Sequence, residues 1–338
     1  MSNRWPGGII RKTPVTPAGP FQCGAASGVW SLADASYWTK QGLWPVAGNL
    51  PSETFAIFAL GNTGGFSTTR NKYTYSGCVV AAGGAATVAS TSGSAAGNST
   101  VGIFALGFTA ACVVTTRNKY TYAGCVVSAG GAATVASSNG SAAGNSTVGI
   151  FALGCTGTAS TTRNKYTYSG CVVAAGGAAT VASSSGSAAG NSTVGIFALG
   201  FTTIRVTTRN KYTYSGDVVS AGGAATVASN FGSATGTSTV GVFALGLTNG
   251  GAVTTRDKYT YSGCVVSAGG AATAASRGGS AAGNGTVGIF ALGQVCAVRV
   301  TTRNKYTYSG DVVGAGGAAT VASDAGSAAS NGTTGVNM

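Results

Sequence analysis

The segment TTRNKYTYSG, first met at residues 68–77, returns with little change around Arg117, Arg163, Arg209, Arg256 and Arg303. Counted from Arg70, the steps are 47, 46, 46, 47 and 47 residues. A period in this range means one supersecondary unit stacked on its own copies, so the repeat constrains the fold before any local reading does. The copies run from about Phe55 to the C-terminus. The chain therefore reads as a short N-terminal segment, 1–54, followed by one repeat domain, 55–338.

Composition matters here in two ways. With 7% charged residues and 57 glycines the chain leans towards low complexity, but 44% apolar content in regular motifs favours a packed fold. The net charge of +13 suggests nucleic acid, yet twelve of the 19 basic residues are the Arg and Lys of the repeated triplet. One of each per repeat is a spread-out charge, not the dense basic stripe with stacking aromatics that a nucleic-acid surface needs. No nucleic-acid partner is expected.

Each repeat contains a strand of the VGIFALG type, seen at residues 55–61, 101–107, 148–154, 194–200, 240–246 and 287–293. Both alternating sets are apolar, for example Ile103 and Ala105 against Phe104 and Leu106, which predicts a strand buried on both faces. Before it comes GSAAGNST, in which Gly97-Asn98 predicts a tight turn after a short small-residue strand. TTRNKYTY predicts a third strand, with Asn71, Tyr73 and Tyr75 on one side and Arg70, Lys72 and Thr74 on the other. After the Ser76-Gly77 turn, CVVAAGGAATVAS predicts a fourth, less regular strand.

The expected fold is all-β: six four-stranded antiparallel sheets in 46–47-residue repeats, packed radially as a six-bladed β-propeller. The first repeat lacks its GSAAGNST strand, and a surplus GSAASNGTTGV occupies residues 326–336. Setting that last strand beside 55–61 completes the first blade, closes the ring and removes both open edges.

The unit resembles a kelch-type propeller repeat. GSAAGNSTVGIFALG is similar to its small-residue strand, turn and glycine-ended apolar strand, and NKYTY to its aromatic third strand. It departs from that pattern in having Phe108 directly after Gly107 and no tryptophan in the fourth strand. The N-terminal segment, PGGIIRKTPVTP followed by SGVWSLADASYWTKQGLWP, is similar to tail-fibre proteins of tailed bacteriophages. That resemblance implies a virion protein of the tail that meets the host surface, made in the host cytoplasm. It also implies other tail or baseplate proteins as partners, a homo-oligomer, and a polysaccharide or protein receptor on the host cell.

Within the N-terminal segment, Pro6, Pro14, Pro17 and Pro20 argue against regular structure, and residues 31–41 read as one short helix capped by Ser31. Trp30, Tyr37, Trp38 and Trp44 form its aromatic cluster, read either as a plug on the repeat domain or as an attachment surface, since clustered Trp and Tyr favour interface cores. MSNRWPGGIIRK lacks the apolar core of a secretory signal. The uncharged stretch 78–116 is too broken by Gly, Ser, Thr and Asn to insert in a membrane.

The repeats differ mainly in two places: after the apolar strand (62–67, 108–114, 155–160, 201–206, 247–253, 294–300) and in the pair of residues after VAS. In an up-and-down blade both emerge at the same end, while the constant Gly-Asn and Ser-Gly turns lie at the other. Loops on a rigid scaffold are where recognition is normally placed. Phe108, Phe201, Arg205, Phe231, Arg277 and Arg299 are therefore the expected ligand-binding residues, aromatics for sugar rings and arginines for phosphate or carboxylate. The repeated Arg and Lys of RNK read either as a ring that grips an anionic polymer or, as preferred here, as contacts between blades, with Tyr73 and Lys72 packing their apolar stems.

Catalysis has little material. The chain has no histidine, which excludes a Ser-His-Asp triad, and its six acids are dispersed without a glycosidase-like pair. No C-x-x-C pair exists for zinc, and Cys78, Cys125, Cys171 and Cys264 share a repeat position with Asp217 and Asp311, so obligatory disulfides are not expected. No enzyme activity, cofactor or metal is expected. The function expected is a receptor-binding virion protein presenting a variable face to host-surface glycans. The alternatives are a kelch-like protein-interaction scaffold or a structural decoration of a capsid or filament.

Overall fold

A computed structural model describes residues 53–332, together with Ser36, Tyr37 and Lys40, which are helical. The chain divides into two compact units, Met1–Glu53 and Thr54–Met338. Tyr37 is exposed within the predicted helix, whereas Trp30, Trp38 and Trp44 lie outside the described residues.

The fold is all-β, and among the described residues it is built of six four-stranded antiparallel sheets, a repetition consistent with a β-propeller. The second sheet shows the pattern: Ser94–Gly97, Val101–Ala105, Arg117–Thr121 and Val126–Ala129, each hydrogen-bonded to the next. In the first sheet, Phe55–Ala59, Arg70–Thr74 and Val79–Ala82 are joined by Ser327–Ser330 from the far end of the chain. Ala56 stands opposite Ser330 and Ala59 opposite Ser327, so the surplus strand pairs where the sequence placed it. Asn331 fixes its end, its backbone N–H donating to the Phe55 carbonyl and its Oδ1 accepting from the Phe55 N–H.

Why these residues make these strands is visible in their burial. In the strand Val101–Ala105, Gly102, Ile103 and Phe104 are all buried, because one face meets the preceding sheet and the other the following one. Ala95, Phe104, Tyr120 and Tyr122 of the second sheet form one apolar cluster with Phe55, Ile57 and Ala329 of the first. Burying a phenylalanine in this way stabilises by about 1.5–3 kcal/mol, and the cluster recurs from sheet to sheet.

The fourth strand is shorter than predicted. Only Val79–Ala82 pairs, and residues 83–89 leave the sheet to cross its neighbour. The crossing is close: a Cβ on Gly84 would sit 2.5 Å from the Cys125 carbonyl oxygen. The Gly84 N–H donates to the Tyr120 hydroxyl and the Thr87 N–H to Asn118 Oδ1. Small residues in this segment are thus the condition for one sheet's tail to lie on the next. The turn before the fourth strand is left-handed at two successive residues, Gly77 (φ 78°) and Cys78 (φ 56°). Asp tolerates that conformation better than most residues, in keeping with Asp217 and Asp311 at the same place.

Candidate functional site

The two variable segments of each repeat meet. Thr91 pairs with Phe108, Ser138 with Cys155, Ser184 with Phe201, Asn230 with Leu247, Arg277 with Gln294, and Asp324 with Asn62. In every case the pair after VAS is laddered to the residue that follows the glycine of the next apolar strand. That glycine has no freedom: at Gly107 φ is +74°, and a Cβ would stand 2.5 Å from the Ser92 carbonyl oxygen.

The second residue of each pair makes a further set of bonds. The backbone N–H of Ser92 donates to the Ala325 carbonyl, Ala325 to Gly278, Gly278 to Phe231, Phe231 to Ser185, Ser185 to Asn139, and Asn139 back to Ser92. These six bonds measure 2.7–2.9 Å and return to their starting residue. All six residues have positive φ, from 49° at Ala325 to 64° at Gly278. They rim an open depression. Because the cycle uses only backbone groups, the side chain at each place can be Ser, Asn, Phe, Gly or Ala without breaking it.

Five of the six, all but Gly278, bear a steric cost, and Phe231 has the bulkiest side chain among them. A left-handed conformation is a steric expense of about 1–2 kcal/mol for an L-residue with a side chain, and glycine is free of it. Phe231 holds φ 54° and leaves its ring 39% exposed. Phe108 and Phe201 are also exposed, at 41% and 37%. Phe66, within the variable segment 62–67 but not singled out by the sequence reading, is 37% exposed and packs its ring against Phe108, centroids 5.8 Å apart. Its signal was present, since it is the one aromatic of that segment, but only the fold shows that it faces the next repeat's phenylalanine.

The loop arginines each find partners within the protein. Arg205 donates from Nε to Asn230 Oδ1 at 2.9 Å and from Nη1 to Asn249 Oδ1 at 3.0 Å. Arg277 donates from Nε to Gln294 Oε1 at 3.1 Å. Arg299 pairs with Asp324 at 2.7 Å, and Gln294 also donates to that carboxylate. All three guanidinium groups thus tie variable segments to one another. A planar fork with several donors suits such bridging as well as it suits a ligand.

Below the loops lies a second chain of contacts. Arg70, Arg117, Arg163, Arg209, Arg256 and Arg303 are each 1% exposed. Each lies over a phenylalanine of the adjacent sheet, as Arg70 does at 4.6 Å from the Phe104 centroid, a favourable cation–π geometry. Each also donates from Nη2 to the residue after the next arginine, Arg70 to Asn118 and so on to Arg303, which donates to Asn71. Burial pushes the guanidinium of Arg70 down to about 10, and does the same at Arg117, Arg163, Arg256 and Arg303. The repeated arginine is therefore a contact between sheets, as its constancy suggested.

Three acids of the sheets are likewise occupied. Asp217 accepts from Lys165 and the Tyr212 hydroxyl, and Asp311 from Lys258 and Tyr306. Asp257 accepts from Arg209 at 2.7 Å and from Thr226. Among the described residues no three His, Cys, Asp or Glu side chains gather to hold a metal, and no helix is long and apolar enough to cross a membrane. At the constant end, Asn98 Oδ1 accepts from the N–H groups of Thr100 and Val101, closing the turn at 98–100. No protein-family model matches this chain, and no curated protein matches it.

Proposed function

We propose that this chain is a non-enzymatic recognition protein of a tailed-bacteriophage virion. In this reading it is a closed, six-bladed, kelch-like β-propeller whose variable end binds host-surface glycans and whose segment 1–54 attaches it to the tail. The closure is supported by the pairing of Ser327–Ser330 with Phe55–Ala59 and by the six backbone bonds that return to Ser92.

The observation that carries the binding role is Phe231, an exposed aromatic held at positive φ where Gly278 and Ala325 serve the same backbone purpose. With Phe66, Phe108 and Phe201 it gives the variable end four exposed rings, the amphipathic and low-entropy contact area that recognition surfaces favour. Because the loop arginines bridge loops, the aromatic rings are the principal contact groups, and uncharged sugar faces suit them best.

The test is binding of the purified full chain to host cells and to isolated envelope polysaccharide. Saturable binding, weakened at least tenfold in a Phe66→Ala/Phe108→Ala/Phe231→Ala variant, is the expected result. No binding to any surface polysaccharide, together with capture of a single intracellular protein partner, overturns it.

A further inference from the structure

Between adjacent sheets, just beneath the variable end, the chain repeats a narrow cleft. Three of these are alike: one lined by Thr68, Thr69, Arg70, Ser90 and Phe104, and its counterparts at Arg163 and Arg256. Each is lined by a buried arginine, the adjacent sheet's phenylalanine, and threonine and serine residues. The innermost part is of water size.

The charge in these clefts is not balanced by the protein. Among the described residues, the hydrogen-bond partners of Arg70, Arg163 and Arg256 are neutral: Asn118, Asn210 and Asn304, and the carbonyls of Gly84, Gly177 and Gly270. The Nε–H is buried without a partner in these three, as it is at Arg117, Arg303 and Arg209, so it is the missing counter-charge that separates them from Arg209. A buried cation without a counter-charge is costly, and an orphaned donor adds to that cost. The fourth cleft of this kind, at Arg209, carries its own control. There the asparagine is replaced by Asp257, whose carboxylate lies 2.7 Å from Nη2 with both side chains fully buried.

We propose that the clefts at Arg70, Arg163 and Arg256 are binding sites for a small monovalent anion of halide size, and that Asp257 is the built-in substitute for that anion at Arg209. The site is independent of glycan recognition. Anion occupancy locks adjacent sheets together, so solution halide stabilises the domain that displays the variable end.

Crystals of the full chain soaked in sodium bromide and measured at the bromine absorption edge test this directly. The expected map has anomalous peaks beside Arg70, Arg163 and Arg256 and none beside Arg209. Peaks confined to surface lysines, or a peak of equal height at Arg209, overturn the proposal. In solution, the unfolding midpoint is followed as sodium bromide replaces sodium gluconate at constant ionic strength. It is expected to rise for the natural chain and to lose most of that rise in an Asn118→Asp/Asn210→Asp/Asn304→Asp variant. An equal rise in both contradicts it. If that variant does not fold, Asp257→Asn provides the converse test, with a steeper bromide dependence expected and an unchanged one contradicting.

Discussion

Arg303 donates from Nη2 to Asn71 Oδ1 at 3.1 Å, across 232 residues of sequence, and so repeats at the chain's ends the bond that Arg70 makes to Asn118. Asn71 Oδ1 also accepts from the Thr320 N–H, and its Nδ2 donates to Thr320 Oγ1 at 2.8 Å. One amide therefore serves three groups of the sixth repeat. Asn71→Leu removes all three partners and leaves a buried guanidinium less well satisfied. A loss of about 2–5 kcal/mol is expected in denaturant unfolding. Asn71→Asp copies the natural Asp257 and is expected to stay within about 1 kcal/mol of the parent. Equal losses in the two variants would show that the link does not act through this hydrogen-bonding pattern.

The tyrosines of the sheets supply an internal comparison. Tyr308 donates to Thr235 Oγ1, while the hydroxyl of Tyr168 is buried with no hydrogen-bond partner among protein groups. Removing an unpaired buried hydroxyl costs little, whereas removing one that donates loses a hydrogen bond, for about 1 kcal/mol. Tyr168→Phe is expected to be neutral or stabilising and Tyr308→Phe destabilising, read from chemical unfolding midpoints at unchanged slope. The opposite order would contradict the assignment.

Alkaline pH acts on the same rings. Desolvation raises all twelve tyrosines of the third strands and the turns that follow them, Tyr120, Tyr166 and Tyr259 to about 12. Above the ordinary value of about 10 the unfolded chain gives up protons that the folded chain keeps, so stability falls as pH rises. The buried arginines work in the other direction, since their lowered values let the folded state lose protons first, but they are half as many. Unfolding midpoints are expected to be level up to about pH 10 and to fall beyond it. Tyrosinate absorbance should rise together with unfolding rather than before it. Smooth ionisation of these tyrosines in the folded protein, near their ordinary value, would contradict their burial.

On the proposed function, Phe231 sets stability against binding. Phe231→Gly removes the steric cost at φ 54° and is expected to stabilise the domain by about 1 kcal/mol or less, net of glycine's greater freedom when unfolded. It is also expected to weaken glycan binding. A variant that is less stable and binds as before would remove the reason given for an aromatic at this place.

Much of the scaffold was legible because both periods in the sequence, 46–47 residues for the unit and two for its strands, survive in the structure. The surplus strand at 327–330 was legible because the first repeat lacks its counterpart. The partners of the loop arginines were not legible. Arg205 finds Asn230 and Asn249, and Arg299 finds Asp324, in segments 25–44 residues away that come together only when neighbouring repeats pack. The shortness of the fourth strand was hidden for a related reason. Gly84 is dictated by the Cys125 carbonyl of the next repeat, not by anything in its own. What a repeat does alone can be read from its pattern, and what it does to its neighbour requires the packing.

The binding role of the variable end is tested most directly by exchanging segments 62–67 and 108–114 for copies of 155–160, which removes Phe66 and Phe108 while retaining a segment native to this scaffold. Affinity for host-envelope polysaccharide is then measured beside a variant altered only in the opposite turn, Asn98→Asp. Loss of binding in the exchanged chain at a near-parental unfolding midpoint, with binding retained by Asn98→Asp, is the expected result. Full binding by the exchanged chain, or loss confined to the Asn98 variant, would place recognition elsewhere.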